Sequence, residues 1–491
     1  MTRLLNRRVL LAGLFLPMLA LVNAQNALPI NRETIRLNLD QAIEVALSEN
    51  PAIIVAGQEI EKKQYAKKDV ISQLFPQISA SAGYTRTLKK QVMYMNSGGS
   101  GGFATMLTEP LIKLAKPLYD ELGLEMPDMN PSGADSGSSD EGMTVGLDNN
   151  WSGGFNLSLP VYAPTLYKSI QLSALDIELA VEQAKASRQD LVNQVSKAYF
   201  QLLLAQDSYE VLQQSYKQAE NNFETVNNKY EQGLVSEYDK IRAEVQVRNL
   251  NPSLLQAKNA VALTKLQLKV LLGIDSGKEI SILGKLSDYE LDLYADYMRM
   301  DTSLLANNTS LMQMDLQRKM LKKNYEINKA AFLPNVSLSA IYQWTAMNND
   351  FRFKNYIWNP YSTVGVTVSI PVFTGGSRTF KMKQTKIQLN QLEWNRVNLR
   401  RNLNMQAESY VNNMQQSVEQ LASNKENVNQ AMKGRTIAQK RYEVGKGTIL
   451  ELNDSELALT QSKLTYTQSI YDFLVAKADL DLVIGKEIIT K

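Results

Sequence analysis

An internal duplication is the feature of this sequence that most restricts its fold. Five short blocks occur twice in the same order, and the first two pairs lie 258 residues apart. The other three pairs lie 211 or 212 residues apart. The paired blocks are 47–50 with 305–308, 75–81 with 333–339, 154–162 with 365–373, 229–233 with 441–445, and 272–273 with 484–485. A chain with such a repeat is expected to build one structural unit twice.

The change in spacing places an insertion in the first copy. The separation falls by 47 residues, from 258 to 211, between the second and third pairs of blocks. The extra stretch contains 97–102, made of Gly and Ser, and 130–142, which is rich in Gly, Ser and Asp. These residue types favour turns and solvated loops. The sequence therefore predicts a long loop over about 86–150.

Each copy begins with a predicted helix followed by two predicted strands. The helices cover 40–74 and 299–332 and end before Pro76 and Pro334, because proline disfavours a helical conformation in the residue that precedes it. In the strands, apolar residues alternate with small polar residues, as expected for one apolar and one polar face. The predicted strands cover about 77–85, 151–159, 336–344 and 364–370.

The alternating strands allow two interpretations. Strands of a β-sandwich have one buried face, whereas strands of a membrane barrel have an apolar face toward lipid and a polar face toward water. Trp151, Trp344 and Trp358 lie in or beside the strands and favour the barrel. Four strands cannot close a barrel, and open edges are not tolerated in lipid. A barrel would therefore need several chains with about 8, 12 or 16 strands in total, and three chains would supply about 12.

A long helical hairpin is predicted after the second strand of each copy, over 166–273 and 378–485. Apolar residues from Val195 to Tyr230 recur at alternating spacings of three and four, which is typical of a left-handed coiled coil. An arm of about 65 residues would be roughly 100 Å long. Glycines are expected at the points where the arms reverse. Pro252 is expected to kink one return arm.

The first 24 residues have the pattern of a secretory signal peptide. Three arginines precede an apolar stretch at 9–22, and a small residue, Ala24, ends the segment. We expect residues 1–24 to be removed, which would reduce the formal net charge from +3 to zero because Arg3, Arg7 and Arg8 are its only charged side chains. A neutral mature chain argues against nucleic acid as a partner.

Composition also limits the chemistry, since the chain contains no cysteine and no histidine. Disulfides, thiolate metal sites, lipoprotein acylation and the commonest general base are therefore excluded. No combination of nucleophile and base is recognisable. We expect a protein that is not an enzyme and has no catalytic residue, cofactor or metal site.

The order of these features resembles the TolC-type outer-membrane efflux factors, from about residue 37 to residue 487. The shared features are a helix, a strand beginning Leu/Phe-Pro-x-x-Ser, a strand ending Ser-Leu/Ile-Pro-Val-Tyr/Phe and a hairpin with Tyr-x-x-Gly at its turn, all present twice. The resemblance implies an α+β membrane protein: a homotrimer with a 12-stranded barrel in outer-membrane lipid and an α-helical barrel in the periplasm. It also implies a periplasmic adaptor and an inner-membrane transporter as partners.

The resemblance also suggests functional positions at the hairpin turns. Two acidic residues after the second turn, Glu451 and Asp454, match side chains that narrow the periplasmic entrance of the family's tunnel. Asp239, after the first turn, is a weaker candidate for the same role. The residues that match the adaptor-docking region are Tyr230, Gly233, Leu234, Tyr442, Val444 and Gly445.

The predicted domains are the signal peptide 1–24, a first repeat 25–285, a linker 286–298 and a second repeat 299–491. The predicted function is passive conduction of substrates through the outer membrane as part of a tripartite efflux pump. Two alternatives stay open: the exit duct of a type I protein secretion system, and a periplasmic coiled-coil adaptor or adhesin that forms no channel.

Overall fold

A computed structural model describes residues 35–93, a few single positions between 113 and 123, and residues 143–275, 277–290 and 305–486. The predicted signal peptide, the segments 97–102 and 130–142, and residues 291–298 of the predicted linker lie outside the described residues. The helices are α1 Leu39–Glu49, α2 Pro51–Ser72, α3 Pro164–Glu231, α4 Glu237–Leu272, α5 Thr309–Ala330, α6 Ser377–Glu443 and α7 Ile449–Ile484. The strands are β1 Ile35–Leu37, β2 Gln77–Arg86, β3 Gln91–Met93, β4 Met143–Val145, β5 Asn149–Tyr162, β6 Ile280–Ile282, β7 Asn335–Asn348 and β8 Asn359–Ser369.

The chain divides into two compact units. The sheet unit comprises Ile54–Ser187 and Leu304–Gln406. The hairpin unit comprises Met1–Ile53, Arg188–Ser303 and Ala407–Lys491. No helix among the described residues combines the length and the hydropathy of a transmembrane span.

A four-stranded antiparallel sheet forms the centre of the sheet unit, with the strand order β2-β5-β7-β8. The register places apolar residues opposite one another across the whole sheet: Ile78 pairs with Leu157, Leu157 with Ala340, and Ala340 with Val364. The alternation predicted from the sequence is therefore confirmed as one apolar face and one polar face. The apolar face contains Ile78, Ala80, Ala82, Tyr84, Trp151, Phe155, Leu157, Leu159, Val336, Leu338, Ala340, Tyr342, Trp344, Val364, Val366 and Val368.

The apolar face of this sheet is largely uncovered. Ile78 is 70% exposed and Val364 is 75% exposed. The edge strands β2 and β8 are exposed at every residue. A sandwich would bury such a face against a second sheet, and no described element of the sheet unit does so.

The helix–strand junctions follow the two prolines identified in the sequence. Strand β2 begins directly after Pro76, and β7 begins directly after Pro334. The predicted loop over 86–150 needs a correction, because its ends pair as a short antiparallel ribbon of β3 and β4. The two chain ends of the insertion meet there, so its first and last residues are held by backbone hydrogen bonds.

The helix predicted over 40–74 is interrupted at Asn50, so the prediction of one continuous helix is wrong. Pro51 disfavours a helical Asn50, which has φ −69° and ψ 125°. The Asn50 amide donates to the carbonyl oxygen of Leu271 at 2.8 Å, and its Oδ1 accepts from the N–H of Ala52 at 2.8 Å. One side chain thus starts α2 and fastens the break to α4.

The matching helix of the second copy, predicted over 299–332, is shorter in the described residues. A 3₁₀ turn covers Leu305–Asn307, and α5 begins at Thr309. The side chain of Asn308 accepts a hydrogen bond from the N–H of Leu311 at 3.1 Å and caps the helix. Residues 299–304 lie outside the described residues.

The two predicted hairpins are confirmed as α3–α4 and α6–α7. Apolar residues seven positions apart are buried in the hairpin unit: Val195 and Leu202 in α3, and Ala407, Met414 and Leu421 in α6. This spacing is that of coiled-coil packing. Helix α4 continues through Pro252, and the bend expected there stays a prediction.

Alanine at Gly273 is expected to destabilise the hairpin unit more than alanine at Gly233. Both glycines end a hairpin helix in the left-handed region, at φ +68° and +73°, where a Cβ costs about 1–2 kcal/mol. At Gly273 the new Cβ would also lie 2.6 Å from the carbonyl oxygen of Glu49, whereas at Gly233 nothing lies within 4 Å. Thermal unfolding of the purified variants should give the larger fall in Tm for Gly273→Ala. Equal falls would show that the contact with Glu49 is unimportant.

Candidate functional site

The turn between α3 and α4 reverses the chain of the first hairpin. Gly233 has φ +73°, and its N–H donates to the carbonyl oxygen of Tyr230 at 2.8 Å. The N–H of Leu234 donates to the carbonyl oxygen of Lys229 at 2.8 Å. Together these bonds form a Schellman cap, which needs a residue that tolerates positive φ. Ser236 then caps the N-terminus of α4.

The turn between α6 and α7 has the same construction. Gly445 also has φ +73°, and its N–H donates to the carbonyl oxygen of Tyr442 at 3.2 Å. The N–H of Lys446 donates to the carbonyl oxygen of Arg441 at 2.8 Å. Thr448 caps the N-terminus of α7. The equal geometry explains why both blocks end in glycine.

The six residues predicted to dock an adaptor divide between surface and interior. Two exposed side chains are apolar, with Leu234 68% and Val444 69% exposed. Both turn glycines are exposed as well, whereas the two tyrosines are half-buried. The turns therefore present a small apolar surface, and Tyr442 packs against the apolar cluster beneath it.

An apolar cluster lies beneath the turns and includes residues from all four hairpin helices. Its buried members are Val226, Ala243, Ile449 and Leu452. The partly buried residues that pack against it are Phe223, Val235, Ala438 and Tyr442. This packing joins the two turns and holds the first turn of α7, which carries the predicted entrance residues.

Tyr442 is the residue of this cluster whose buried polar atom has no hydrogen-bond partner among the described residues. Its hydroxyl is buried and makes no hydrogen bond to any described residue. Burial, together with the negative charge of Asp239, raises the pKa of the Tyr442 phenol. The ammonium group of Lys229 lies 4.6 Å from the centre of the Tyr442 ring. Charged groups of the first hairpin therefore act on a side chain of the second.

Asp239 has a structural role at the start of α4. Its carboxylate accepts from the hydroxyl of Ser236 at 2.8 Å and from the N–H of Ser236 at 3.3 Å. The Ser236 hydroxyl in turn accepts from the N–H of Asp239 at 3.2 Å. This reciprocal pair is a capping box, which stabilises the helix N-terminus.

Glu451 and Asp454 both lie near the start of α7, and their spacing of three places them on one face of the helix. The Glu451 carboxylate lies 3.6 Å from the guanidinium of Arg441, and both side chains are about half exposed. Asp454 is exposed and forms no ion pair within the described part of the chain. The two acids therefore differ, since Glu451 forms an ion pair and Asp454 forms none among the described residues.

The cations around these sites were not predicted from the sequence. Arg441 lies in the last turn of α6, where a positive charge interacts favourably with the negative end of the helix dipole, and that position was its only signal. Arg435 forms a largely buried ion pair with Glu456 at 2.6 Å. The two residues are separated by 21 positions across a turn, so no local pattern indicated the contact.

Comparisons with known proteins agree on one family. The family model described as "Outer membrane efflux protein" matches residues 125–274 and 302–486. Outer membrane protein TolC of Vibrio cholerae is 23% identical over 342 residues, which are 68% of this chain and 76% of that protein. The probable efflux pump outer membrane protein TtgC of Pseudomonas putida is 24% identical over 227 residues, 45% of each chain.

A solved structure shows the same fold. The crystal structure of the Campylobacter jejuni CmeC outer membrane channel aligns with a TM-score of 0.66 and 16% identity, covering 91% of this chain and 85% of that one. The matched family is one of outer-membrane efflux proteins and is not an enzyme family. The resemblance predicted from the order of the motifs is confirmed by the two matched segments, which include more than half of the residues. The chain shares its fold with a TolC-like outer membrane channel of known structure, and it belongs to the outer membrane efflux protein family.

Proposed function

We propose that three copies of this chain form a 12-stranded barrel in the outer membrane and a helical tunnel in the periplasm. The assembly conducts substrates passively from an inner-membrane transporter, which a periplasmic adaptor connects to the hairpin turns. The observation that carries this proposal is the four-stranded sheet with one apolar face, one polar face and two exposed edge strands. In lipid, such a sheet must be closed by further strands.

The strand number of the sheet is compatible with closure by identical copies. Neighbouring strands are antiparallel throughout, so the two edge strands β2 and β8 run in opposite directions. Strand β8 of one copy can therefore pair antiparallel with β2 of the next. Three copies give about 12 strands, which leaves room for a water-filled lumen lined by the polar face.

Two repeats supply this assembly, 25–285 and 299–491, joined by the linker 286–298. Each repeat provides two strands and one hairpin, after removal of residues 1–24 during secretion. The proposal is supported by the matching turns, in which Gly233 and Gly445 have the same φ and form the same pair of backbone bonds.

The hairpin turns contain the adaptor surface and the entrance in this proposal. Leu234 and Val444 provide exposed apolar contacts for an adaptor. Glu451 and Asp454 from three chains place six carboxylates at the entrance, and their field favours cations over anions. Asp239 has an indirect role in this proposal, because it caps the N-terminus of α4 and places a negative charge near Tyr442.

Efflux rather than protein secretion is supported by the name of one relative, TtgC, as a probable efflux pump component. Deletion of the gene, followed by parallel measurements of toxic-compound accumulation and of secreted protein, tests this part. Cells without the gene are expected to accumulate the toxic compound and to secrete protein normally. A secretion defect alone would assign the channel to an exit duct.

Disulfide cross-linking between edge strands tests the barrel, because the chain has no natural cysteine. Ser79→Cys in β2 is combined in turn with cysteine at Thr363, Thr367 and Ser369 of β8, all on the polar face. Within one chain the two edge strands are three strand spacings apart, about 14 Å, which is too far for a disulfide. At least one pair is expected to give oxidation-dependent dimers and trimers on denaturing gels.

The matched control places both cysteines on adjacent strands of one chain. Ser79 lies opposite Asn156 in the β2–β5 ladder, so the pair Ser79→Cys and Asn156→Cys should form an internal disulfide and remain monomeric on the same gel. If the control pair closes and none of the edge pairs links two chains, the barrel proposal is wrong.

A further inference from the structure

The loop between β7 and β8, residues 349–358, folds back over the apolar face at the end of the sheet away from the helices. The ring of Phe351 lies 6.2 Å from that of Tyr84, and the ring of Phe353 lies 5.4 Å from that of Trp151. Tyr84 and Trp151 are paired residues of the apolar face. The loop therefore lies on the side of the sheet that faces lipid in the proposed barrel.

Hydrogen bonds hold the loop in this position. Asn149 is 1% exposed, accepts from the Tyr84 hydroxyl at 2.8 Å and donates to the carbonyl oxygen of Asp350 at 3.4 Å. The Tyr356 hydroxyl donates to the same carbonyl oxygen at 2.7 Å. The Asp350 carboxylate accepts from the amide of Asn355 at 3.1 Å. The only acid of the loop is thus engaged within the loop itself.

In the 349–358 loop and at the end of β2, three cations lack an acidic partner among the described residues. Arg86, Arg352 and Lys354 are exposed, and among the described residues none of them forms an ion pair. The Arg86 guanidinium lies 5.6 Å from the centre of the Phe351 ring. The nearby Lys90 differs, because it pairs with Asp148 at 3.1 Å. Within the part of the chain that the structure describes, the loop and the end of β2 therefore present positive charge without an acidic partner.

Exposed apolar side chains accompany these cations. Phe351 is 53% exposed, Phe353 59%, Ile357 74% and Trp358 47%. Aromatic side chains next to exposed cations are typical of the boundary between hydrocarbon and headgroups. Guanidinium groups bind phosphate in a bidentate manner and with charge assistance.

The length of the apolar face places this loop at headgroup level. The apolar positions of β7 run from Val336 to Ala346, about 11 residues, which at roughly 3.4 Å each and a tilt of about 40° span about 28 Å. The apolar band of outer-membrane barrels is about 25 Å tall. Residues 349–358 come directly after this band.

We propose that the collar formed by Arg86, Phe351, Arg352, Phe353, Lys354 and Trp358 binds the phosphate groups of the phosphorylated glycolipid in the outer leaflet of the outer membrane. The inference rests on the proposed barrel, because the barrel places the helix-free end of the sheet at the cell exterior. The cations bind the phosphates, and the aromatic rings pack against the upper part of the acyl chains. Three chains would place nine cations around the barrel.

Binding to purified lipid A in neutral detergent tests the collar. The probes are bisphosphorylated, monophosphorylated and enzymatically dephosphorylated lipid A, added to the full-length mature protein and followed by native mass spectrometry. The protein should bind the bisphosphorylated form about tenfold or more tighter than the dephosphorylated form. The triple variant Arg86→Gln, Arg352→Gln, Lys354→Gln should lose this preference, and an Arg86→Lys variant should retain most of it.

A second triple variant controls for the loss of charge. Lys62→Gln, Lys67→Gln and Lys68→Gln remove three cations of α2 in the same sheet unit and should leave the phosphate preference unchanged. Equal binding of the three lipids by the unmodified protein, or an unchanged preference in the collar variant, would overturn the proposal. Full competition by inorganic phosphate would also overturn it, because it would show a general anion site and no glycolipid site.

The oligomeric state of each sample separates the two levels of inference. Light scattering of the same preparations is expected to show trimers for the unmodified protein and for both triple variants. A trimer without phosphate preference rejects the collar alone. A protein that is not trimeric rejects the proposed barrel, whatever lipid it binds.

Discussion

Arginine in place of Val364 is expected to prevent assembly in the outer membrane, whereas arginine in place of the adjacent Thr363 is expected to be tolerated. Val364 is 75% exposed and lies opposite Ala340 on the apolar face, near the middle of the band. An arginine that faces lipid at the bilayer midplane costs about 2–4 kcal/mol. Three copies raise this to roughly 6–12 kcal/mol per trimer, which is comparable to the whole stability of many folded domains.

Two fractions are measured. The first is the fraction of protein that sediments with outer membranes, and the second is the fraction that migrates as a trimer in mild detergent. Thr363 is the matched control because it is exposed on the same strand and faces the polar side, where its arginine would reach water. Val364→Thr, which replaces one methyl group by a hydroxyl at nearly constant volume, should give an intermediate loss of assembly. Normal assembly of Val364→Arg would contradict the lipid-facing assignment, and so would equal failure of both arginine variants.

The strands were predictable from sequence because apolar and polar side chains alternate along them. Each apolar residue from Ile78 to Tyr84 lies two positions from the next, and the structure places all of them on one face. The prolines before β2 and β7 marked both strand starts for a local reason, the restricted backbone of the preceding residue. The order of the strands in the sheet was not predicted, since alternation contains no information about which strand pairs with which.

Interactions between distant residues explain what the sequence did not indicate. The only local sign of the helix break at Asn50 is the proline that follows it. The hydrogen bond from the Asn50 amide to the carbonyl oxygen of Leu271 joins residues 221 positions apart. The return of residues 349–358 onto the apolar face depends on contacts with Tyr84 and Trp151, which lie in other strands. At the hairpin turns, the glycines were predicted from their position. The apolar cluster beneath them was not predicted, because it combines residues of four helices that are distant in sequence.

The two predicted entrance residues show the same difference between local patterns and distant contacts. Glu451 and Asp454 were identified by their match to a family position, and their spacing correctly put them on one helix face. The spacing did not indicate that Arg441 lies 3.6 Å from Glu451, because Arg441 belongs to the other arm of the hairpin. The structure thus adds a difference between the two acids that the sequence did not indicate.

Asparagine at Asp454 is expected to weaken block of the channel by a trivalent cation by about tenfold or more, and glutamine at Glu451 is expected to weaken it less. A trivalent ion about 8 Å from one carboxylate in water gains about 1.5 kcal/mol, and a trimer loses three such carboxylates. Salt reduces this gain, so tenfold is a conservative expectation. At Glu451 the guanidinium of Arg441 already opposes the attraction.

Block by hexamminecobalt added to the periplasmic side of single channels in a planar bilayer provides the measurement. The double variant Glu451→Gln, Asp454→Asn should show the weakest block and a higher open conductance. Glu443→Gln is the control, because Glu443 is an exposed acid and the last residue of α6. Its replacement changes the net charge near the hairpin turn by the same amount as Asp454→Asn. If the control weakens block as much as Asp454→Asn, the effect comes from the overall charge of the tip. Asp454 then does not line the entrance, and the proposed ring of carboxylates is wrong.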